Sequence, residues 1–283
     1  MAPRTVLTER QRRLGSELRR IRTSAGMSAE YAAGLLGVDR GKISNMESGS
    51  RSISADRLRT LVCNCECTDE RYIEALIEMA QPDVKGWWDR YRGTLPQSLL
   101  DIAELEASAM GMRVANTVHI PGLLQTPDHA LAVFRVAVPT LPDHEVGLRL
   151  ALRAERQQVL VQDDPPTYRA VIHEAALRMQ FGGRAIARAQ LEHLIGMSER
   201  PNVTLLVIPY EAGAFPGAGQ SVLYAEGPVP LLDTVQVDSS HGPAFMWAEN
   251  QLAKYRAQLN WLEDLALPTD QSCDFIHRIA RHL

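Results

Sequence analysis

The chain has 283 residues, 45% of them hydrophobic and 23% charged, which is enough apolar material for a sizeable core and too much for wholesale disorder. No stretch approaches the ~18 consecutive apolar residues of a membrane span. The start Met1-Ala2-Pro3-Arg4-Thr5 lacks an apolar export segment and four cysteines make no disulfide framework, so a cytoplasmic protein with free thiols is expected. The net charge of −4 is uneven: residues 1–60 hold 12 Lys/Arg against 6 Asp/Glu, whereas residues 61–283 hold 18 against 28. A head of +6 on a body of −10 is the asymmetry of a nucleic-acid-binding module joined to a different kind of domain.

The first 80 residues read as five short helices. Thr8 and Gln11 form a capping-box pair ahead of Leu14, Leu18 and Ile21 on one face, with Gly26 just past the helix end. Ser28 caps a second helix through Tyr31, Ala32, Leu35 and Leu36. Gly37 permits a tight turn, Val38 points inward, and Asp39 caps a third helix through Ile43 and Met46. A fourth helix carries Leu58, Leu61 and Val62, and a fifth carries Ile73, Leu76 and Ile77. Cys63, Cys65 and Cys67 alternate as C-x-C-x-C with no histidine nearby, which lacks the paired C-x₂₋₄-C spacing of structural zinc; buried thiols and no metal are expected.

The run Met27 to Asp39, followed by Ile43-Ser44-Asn45-Met46-Glu47-Ser48-Gly49, resembles the phage Cro/repressor (Xre) type of helix-turn-helix, without a gap, over about residues 10–78. Ala33, Gly37, Val38, Ile43-Ser44, Glu47 and Gly49 carry the resemblance. It implies a lambda-repressor-like DNA-binding domain whose second helix begins at Ser28 and Ala29 beside the DNA. Ala29 stands where many members place Gln, so base readout does not carry over at that position.

A recognition helix enters the major groove with its N-terminal residues toward the base edges. Arg40, Gly41 and Lys42 form that first turn, with Ser44 and Asn45 behind them. Arg40 or Lys42 suits guanine O6/N7; Asn45 suits adenine or a phosphate; Gly41 permits close approach. Arg51 stands where the family tends to hold a phosphate. Glu47 is expected to pair with an arginine inside the domain, because carboxylates repel phosphates.

Composition changes after Gln81-Pro82-Asp83-Val84-Lys85-Gly86, giving a head over 1–80, a linker over 81–86 and a body over 87–283. Helical patterns fall near 99–113, 127–136, 143–161, 185–198, 247–266 and 271–282. Strand-like runs are Tyr168–His173, Val203–Ile208, Ser221–Glu226 and Leu231–Val237. The chain is therefore expected to be mainly α, with a C-terminal α+β domain around a small, at least partly antiparallel sheet.

Trp87-Trp88, Leu105-Glu106, Ile120-Pro121-Gly122-Leu123-Leu124-Gln125-Thr126-Pro127, Arg153-Ala154-Glu155-Arg156-Gln157, His173-Glu174-Ala175-Ala176-Leu177-Arg178, Gly182-Gly183 and Pro201-Asn202-Val203-Thr204 together resemble an actinobacterial family of Cro/repressor-type regulators. The resemblance covers nearly the whole chain. It implies a conventional head, a C-terminal domain of unassigned function, and antitoxin-like regulators often encoded beside a small partner protein.

Catalytic signatures are missing: there is no G-x-S-x-G elbow, no H-E-x-x-H and no phosphate-binding glycine loop. His173-Glu174 sits at a strand-to-helix junction, where a structural histidine is favoured over an acid/base pair, so no enzyme and no cofactor are expected. Arg149, Arg153 and Arg156 share one helical face; they suit either an anionic ligand or partner, or salt bridges within the acidic body. Trp87 and Trp88 suit core packing or a ligand pocket. The composite reading is a sequence-specific, homodimeric transcriptional regulator that binds a double-stranded DNA operator and senses a ligand or partner through its body. The alternative is an antitoxin-like protein that mainly holds a small partner protein and uses DNA binding for autoregulation.

Overall fold

The computed structural model describes residues 6–81, 86–239 and 241–283. The expected linker therefore lies mostly outside the described residues. The chain divides into two compact units, Met1–Asp89 with Pro228–Leu231, and Arg90–Gly227 with Leu232–Leu283.

The first unit is helical. Helix α1 (Glu9–Ser24) opens with a complete capping box: Gln11 N–H donates to Thr8 Oγ1 at 3.2 Å, and Thr8 N–H donates to Gln11 Oε1 at 3.0 Å. It is followed by α2 (Ala29–Leu35), capped by Ser28, α3 (Arg40–Glu47), capped by Asp39, α4 (Ala55–Asn64) and α5 (Glu70–Ala80). Gly37 has φ +62°, a region that L side chains rarely adopt, and it closes the turn between α2 and α3.

Two more glycines set how closely α1 meets the end of α3. A Cβ on Gly15 would lie 2.6 Å from the Glu47 carbonyl oxygen, and one on Gly49 would lie 2.6 Å from the Gln11 carbonyl oxygen. The contact is backbone on backbone, flanked by Arg22 donating from Nε and Nη2 to Glu47 at 2.5 and 3.0 Å. Deeper in the unit, buried Glu17 takes Arg13 at 3.3 Å, Arg20 at 2.8 Å and the Tyr72 hydroxyl. Cys65 is buried as expected, but Cys63 is exposed at the end of α4; all the cysteines are free.

In the second unit the elements run α6 (Gln97–Ser108), β1 (Gly111–Asn116), α7 (Pro127–Arg135), α8 (Asp143–Arg156), β2 (Thr167–His173), α9 (Glu174–Arg178), α10 (Arg184–Ser198), β3 (Val203–Ile208), β4 (Val222–Glu226), β5 (Thr234–Val237), β6 (Ala244–Met246), α11 (Glu249–Leu265) and α12 (Thr269–His282). The strands form one sheet in the order β3-β2-β1-β4-β5-β6. β1, β2 and β3 pair in parallel, whereas β4, β5 and β6 join antiparallel.

Alternation along the strands builds two cores. Val114, Ala170 and Leu205 face Leu191 and Leu194 of α10 and Ile276 and Ile279 of α12. Ala115, Val171 and Leu206 face Leu252, Leu259 and Leu262 of α11. With both faces covered, β3 is apolar almost throughout and β2 is apolar over Ala170–Ile172. At the β3 edge, Val207 N–H donates to Ser272 Oγ and the Val207 carbonyl accepts from Leu267 N–H, both at 2.9 Å.

The expected mainly α architecture with an α+β C-terminal domain is the one observed, with three local corrections. The helix expected over 99–113 stops at Ser108, and residues 111–116 form the central strand β1 instead. The helical pattern of Leu99, Leu100, Ile102 and Leu105 continues by chance into Met112, which belongs to the sheet core. The helix expected over 143–161 ends at Arg156 and tightens into a 3-10 turn at Gln157–Leu160. The strand expected over 231–237 begins at Thr234, after a 3-10 turn at Pro230–Leu232. Among the described residues no helix is long and apolar enough to cross a membrane.

Candidate functional site

The first turn of α3 carries the residues expected to meet DNA. Asp39 fixes where that turn begins, because its Oδ1 accepts from Lys42 N–H at 2.8 Å. Its Oδ2 holds Lys42 Nζ at 2.9 Å, and this pairing keeps the Asp39 carboxyl below its usual range. Arg40, Gly41, Ser44 and Asn45 are exposed along the same helix, and Lys42 is half-buried. The Asn45 carbonyl accepts from Arg51 N–H at 3.1 Å and from Ser48 and Ser50 hydroxyls at 3.1 Å, which fixes the backbone after α3 and leaves the Arg51 side chain exposed.

Ser28 accepts from Tyr31 N–H at 3.1 Å and stands exposed at the start of α2, with Ala29 half-buried beside it. Tyr31 lies one turn on and is 64% exposed. It reads as an apolar helix residue in the sequence; its exposure on the first turn of α2 adds it to the candidate surface. Glu47 turns inward to Arg22, as expected from charge. Arg13 and Arg20 are likewise engaged by Glu17. Much of the positive charge of α1 is thus neutralised inside the unit, and the exposed cations of α3 and its following turn become the more important ones.

The three body arginines have different environments. Arg149 pairs with Glu145 on its own helix at 2.6 Å. Arg156 is buried and forks onto buried Glu106, Nε to Oε2 at 2.7 Å and Nη2 to Oε1 at 2.6 Å. Arg153 meets no carboxylate within ion-pair distance among the described residues. Its Nη1 donates to Gln125 Oε1 at 2.5 Å and to the Gly122 carbonyl at 3.4 Å, and its guanidinium lies over the Phe134 ring at 5.2 Å. Burial, with Arg156 close by, pulls its pKa down to about 9.

The Pro121–Thr126 segment is fixed on several sides around Arg153. Gln125 Nε2 donates to the Ile120 carbonyl at 2.8 Å, Gln157 donates to the Gln125 carbonyl at 2.6 Å, and Gln190 donates to the Leu124 carbonyl at 2.7 Å. Glu106 and Gln125 lie 50 and 28 positions from their arginines, so helical spacing alone gave no signal for these pairings. Trp87 and Trp88 meet edge to face at 5.6 Å, with Trp88 buried and Trp87 half-buried. His173 caps α9 by accepting from Ala175 N–H at 3.2 Å, while Glu174 holds Arg178 and the Tyr210 N–H. Both residues of that pair have structural roles at the strand-to-helix junction.

Residues 99–278 match a family model described as Domain of unknown function (DUF5753), and residues 13–71 match one described as Helix-turn-helix domain. No curated protein matches the chain, and no solved structure does. The helix-turn-helix match supports a DNA-binding regulator.

Proposed function

We propose, from the premise that this chain belongs to the DUF5753 family and carries a helix-turn-helix head, that it is a sequence-specific transcriptional regulator of the Cro/repressor type. Its head, residues 1–80, binds a double-stranded operator, and its body, residues 87–283, dimerises and takes an input. The cytoplasm is its place of action. The observation that carries this reading is the exposed row Arg40, Gly41, Ser44 and Asn45 on a helix whose start is fixed by Asp39. A dimer presents two such helices about 34 Å apart, one turn of B-DNA or a multiple. One small head buries too little surface for strong specific binding alone.

In this reading Arg40 and Lys42 read base edges, a bidentate contact being worth about 1–3 kcal/mol of discrimination. Arg51 holds a phosphate, which adds affinity without sequence information. The test is binding of Arg40→Ala, Lys42→Ala and Arg51→Ala to a randomised operator library at two salt concentrations. The first two should relax preference at one operator position. Arg51→Ala should weaken all sequences alike and reduce the salt slope by about one phosphate. If none of the three changes affinity or preference, the docking of α3 is wrong.

The charge of −10 over residues 61–283 favours a second reading, an antitoxin-like regulator of actinobacterial type whose body holds a small basic partner protein. A stoichiometric small protein recovered with the chain from its native cell would favour that role; recovery of operator DNA alone would favour the first.

A further inference from the structure

We propose that the C-terminal domain binds a small organic monocarboxylate in a cavity of its own, with the carboxylate on Arg153. The cavity has a volume of about 240 Å³, below the ~300–1,000 Å³ of pockets for drug-sized ligands, which sets the size class. Its polar lining includes Arg153, Arg156, Glu106, His119, Tyr168 and Gln236, and its apolar lining includes Val114, Ile120, Leu123, Val133 and Leu223.

The charges within it are unequally matched. Arg156 is satisfied, because Glu106 takes its fork through two hydrogen bonds. Arg153 has neutral acceptors, and both of its hydrogen bonds leave through the same nitrogen, Nη1. Its Nε is sealed from solvent without an acceptor, and Nδ1 of His119 is likewise sealed without a hydrogen-bond partner. A half-buried guanidinium with a sealed, unpartnered Nε and, among the described residues, no carboxylate within ion-pair distance is under-satisfied, and an incoming carboxylate supplies a directly bonded anionic partner and the acceptors that it lacks.

The same walls limit that anion to a single charge. Glu106 and Asp238 both line the cavity, so two carboxylates already stand against the two arginines, and a phosphate dianion would be repelled by both. The aliphatic lining favours a compact apolar body over a polyol or a nucleotide. The Pro121–Thr126 segment acquires a role in this arrangement. A Cβ on Gly122 would stand 2.9 Å from Arg153 Nη1, so the glycine lets the backbone carbonyl reach the guanidinium, while Gln125 holds it from the other side.

This site rests on the reading of the C-terminal domain as the input module. Its binding is measured on the full chain without DNA, so a failure here and a failure of operator binding are separate results. The probe is 4-methylpentanoate at about 5 mM, compared with its uncharged amide and with inorganic phosphate, read by thermal unfolding and by calorimetric titration. The expected result is a Tm raised by several degrees by the acid and unmoved by the amide or phosphate, as ligand binding to the folded state requires.

Arg153→Met removes the charge together with the donors to Gln125 and the Gly122 carbonyl, and is expected to lose the response to the acid at some cost in stability. If that variant does not fold, the acid and amide titrations of the unmodified chain decide: an amide at least about tenfold weaker supports the site, and equal affinities overturn it. No response to the acid, stabilisation by phosphate alone, or an undiminished response in Arg153→Met would each overturn it as well.

Discussion

Arg22 and Glu47 join the last turn of α1 to the last turn of α3 through two hydrogen bonds, at 2.5 and 3.0 Å, in a largely buried setting. A third bond, from Arg22 Nη1 to the Met27 carbonyl at 2.6 Å, ties in the turn before α2. The pair therefore orients the recognition helix from behind. Arg22→Ala would leave the Glu47 carboxylate buried without its partner, and a loss of about 3 kcal/mol is expected. Urea unfolding followed by circular dichroism measures it; an unchanged midpoint would show that the pair does not hold α3.

Gly15 and Gly49 allow α1 and the end of α3 to touch through their backbones. Gly49 has φ +77° as well as the close approach to the Gln11 carbonyl. Gly49→Ala thus meets both strain and collision, and is expected to cost at least about 2 kcal/mol and to weaken operator binding. Gly34→Ala, in open space on α2, is the control and should be neutral or slightly stabilising. Thermal unfolding of the two variants side by side gives the comparison.

Lys42 is held by Asp39 in the free protein. Asn at position 39 keeps an N-cap oxygen for the Lys42 amide but removes the charge that restrains the Lys42 ammonium. Asp39→Asn is therefore expected to tighten DNA binding several-fold, with a steeper salt dependence. Fluorescence anisotropy at two salt concentrations checks it, and weaker binding would show that the ion pair itself positions the helix.

Tyr31 is exposed on the first turn of α2, so little packing is lost when it is truncated. Tyr31→Ala should leave the Tm within about a degree while lowering DNA affinity a few-fold, as loss of a hydroxyl-to-phosphate contact would. A fall in stability without a change in affinity would instead make it a packing residue.

His129 is buried, and neither ring nitrogen has a hydrogen-bond partner. Burial, then the nearby His119 and Arg153, pulls its pKa from the ordinary 6.5 to about 4. Between these values the unfolded chain binds a proton that the folded one refuses, so stability falls as pH falls through that window. The slope from this one group approaches about 1.4 kcal/mol per pH unit. Unfolding midpoints of the natural chain and of His129→Phe at pH 7, 6 and 5 should diverge toward acid, with the variant less sensitive. Parallel curves would refute the assignment.

The helical head was legible in the sequence because its signals are local. Thr8 with Gln11, Ser28 and Asp39 are caps read within three residues, and Gly26, Gly37 and Gly49 mark turns that the backbone then makes at positive φ. What those helices do with their charge was less legible. Arg13, Arg20 and Arg22 look alike in the sequence, yet they serve Glu17 and Glu47, in one case 25 positions away. In the body, β1 was hidden because a helical period runs through Ala103 and Leu105 toward it. The strand is specified by partners at Thr167–Ile172 and Val222–Glu226. The distinction among Arg149, Arg153 and Arg156 depends on Glu106 and Gln125, residues placed beside them by the fold.

The treatment of Val207 has a consequence for how copies of this protein can associate. A sheet edge is a template for a further strand, and it stays so wherever its amide and carbonyl groups are unclaimed. At Val207 both groups are claimed, by the Ser272 hydroxyl and the Leu267 amide, and Ser272 is itself anchored by donating to the Leu267 carbonyl at 2.9 Å. A strand from a second molecule would have to displace the beginning of α12 to pair there. The start of the last helix thus acts as a selvedge on the β3 side of the sheet, turning strand exchange away from that edge at Val207.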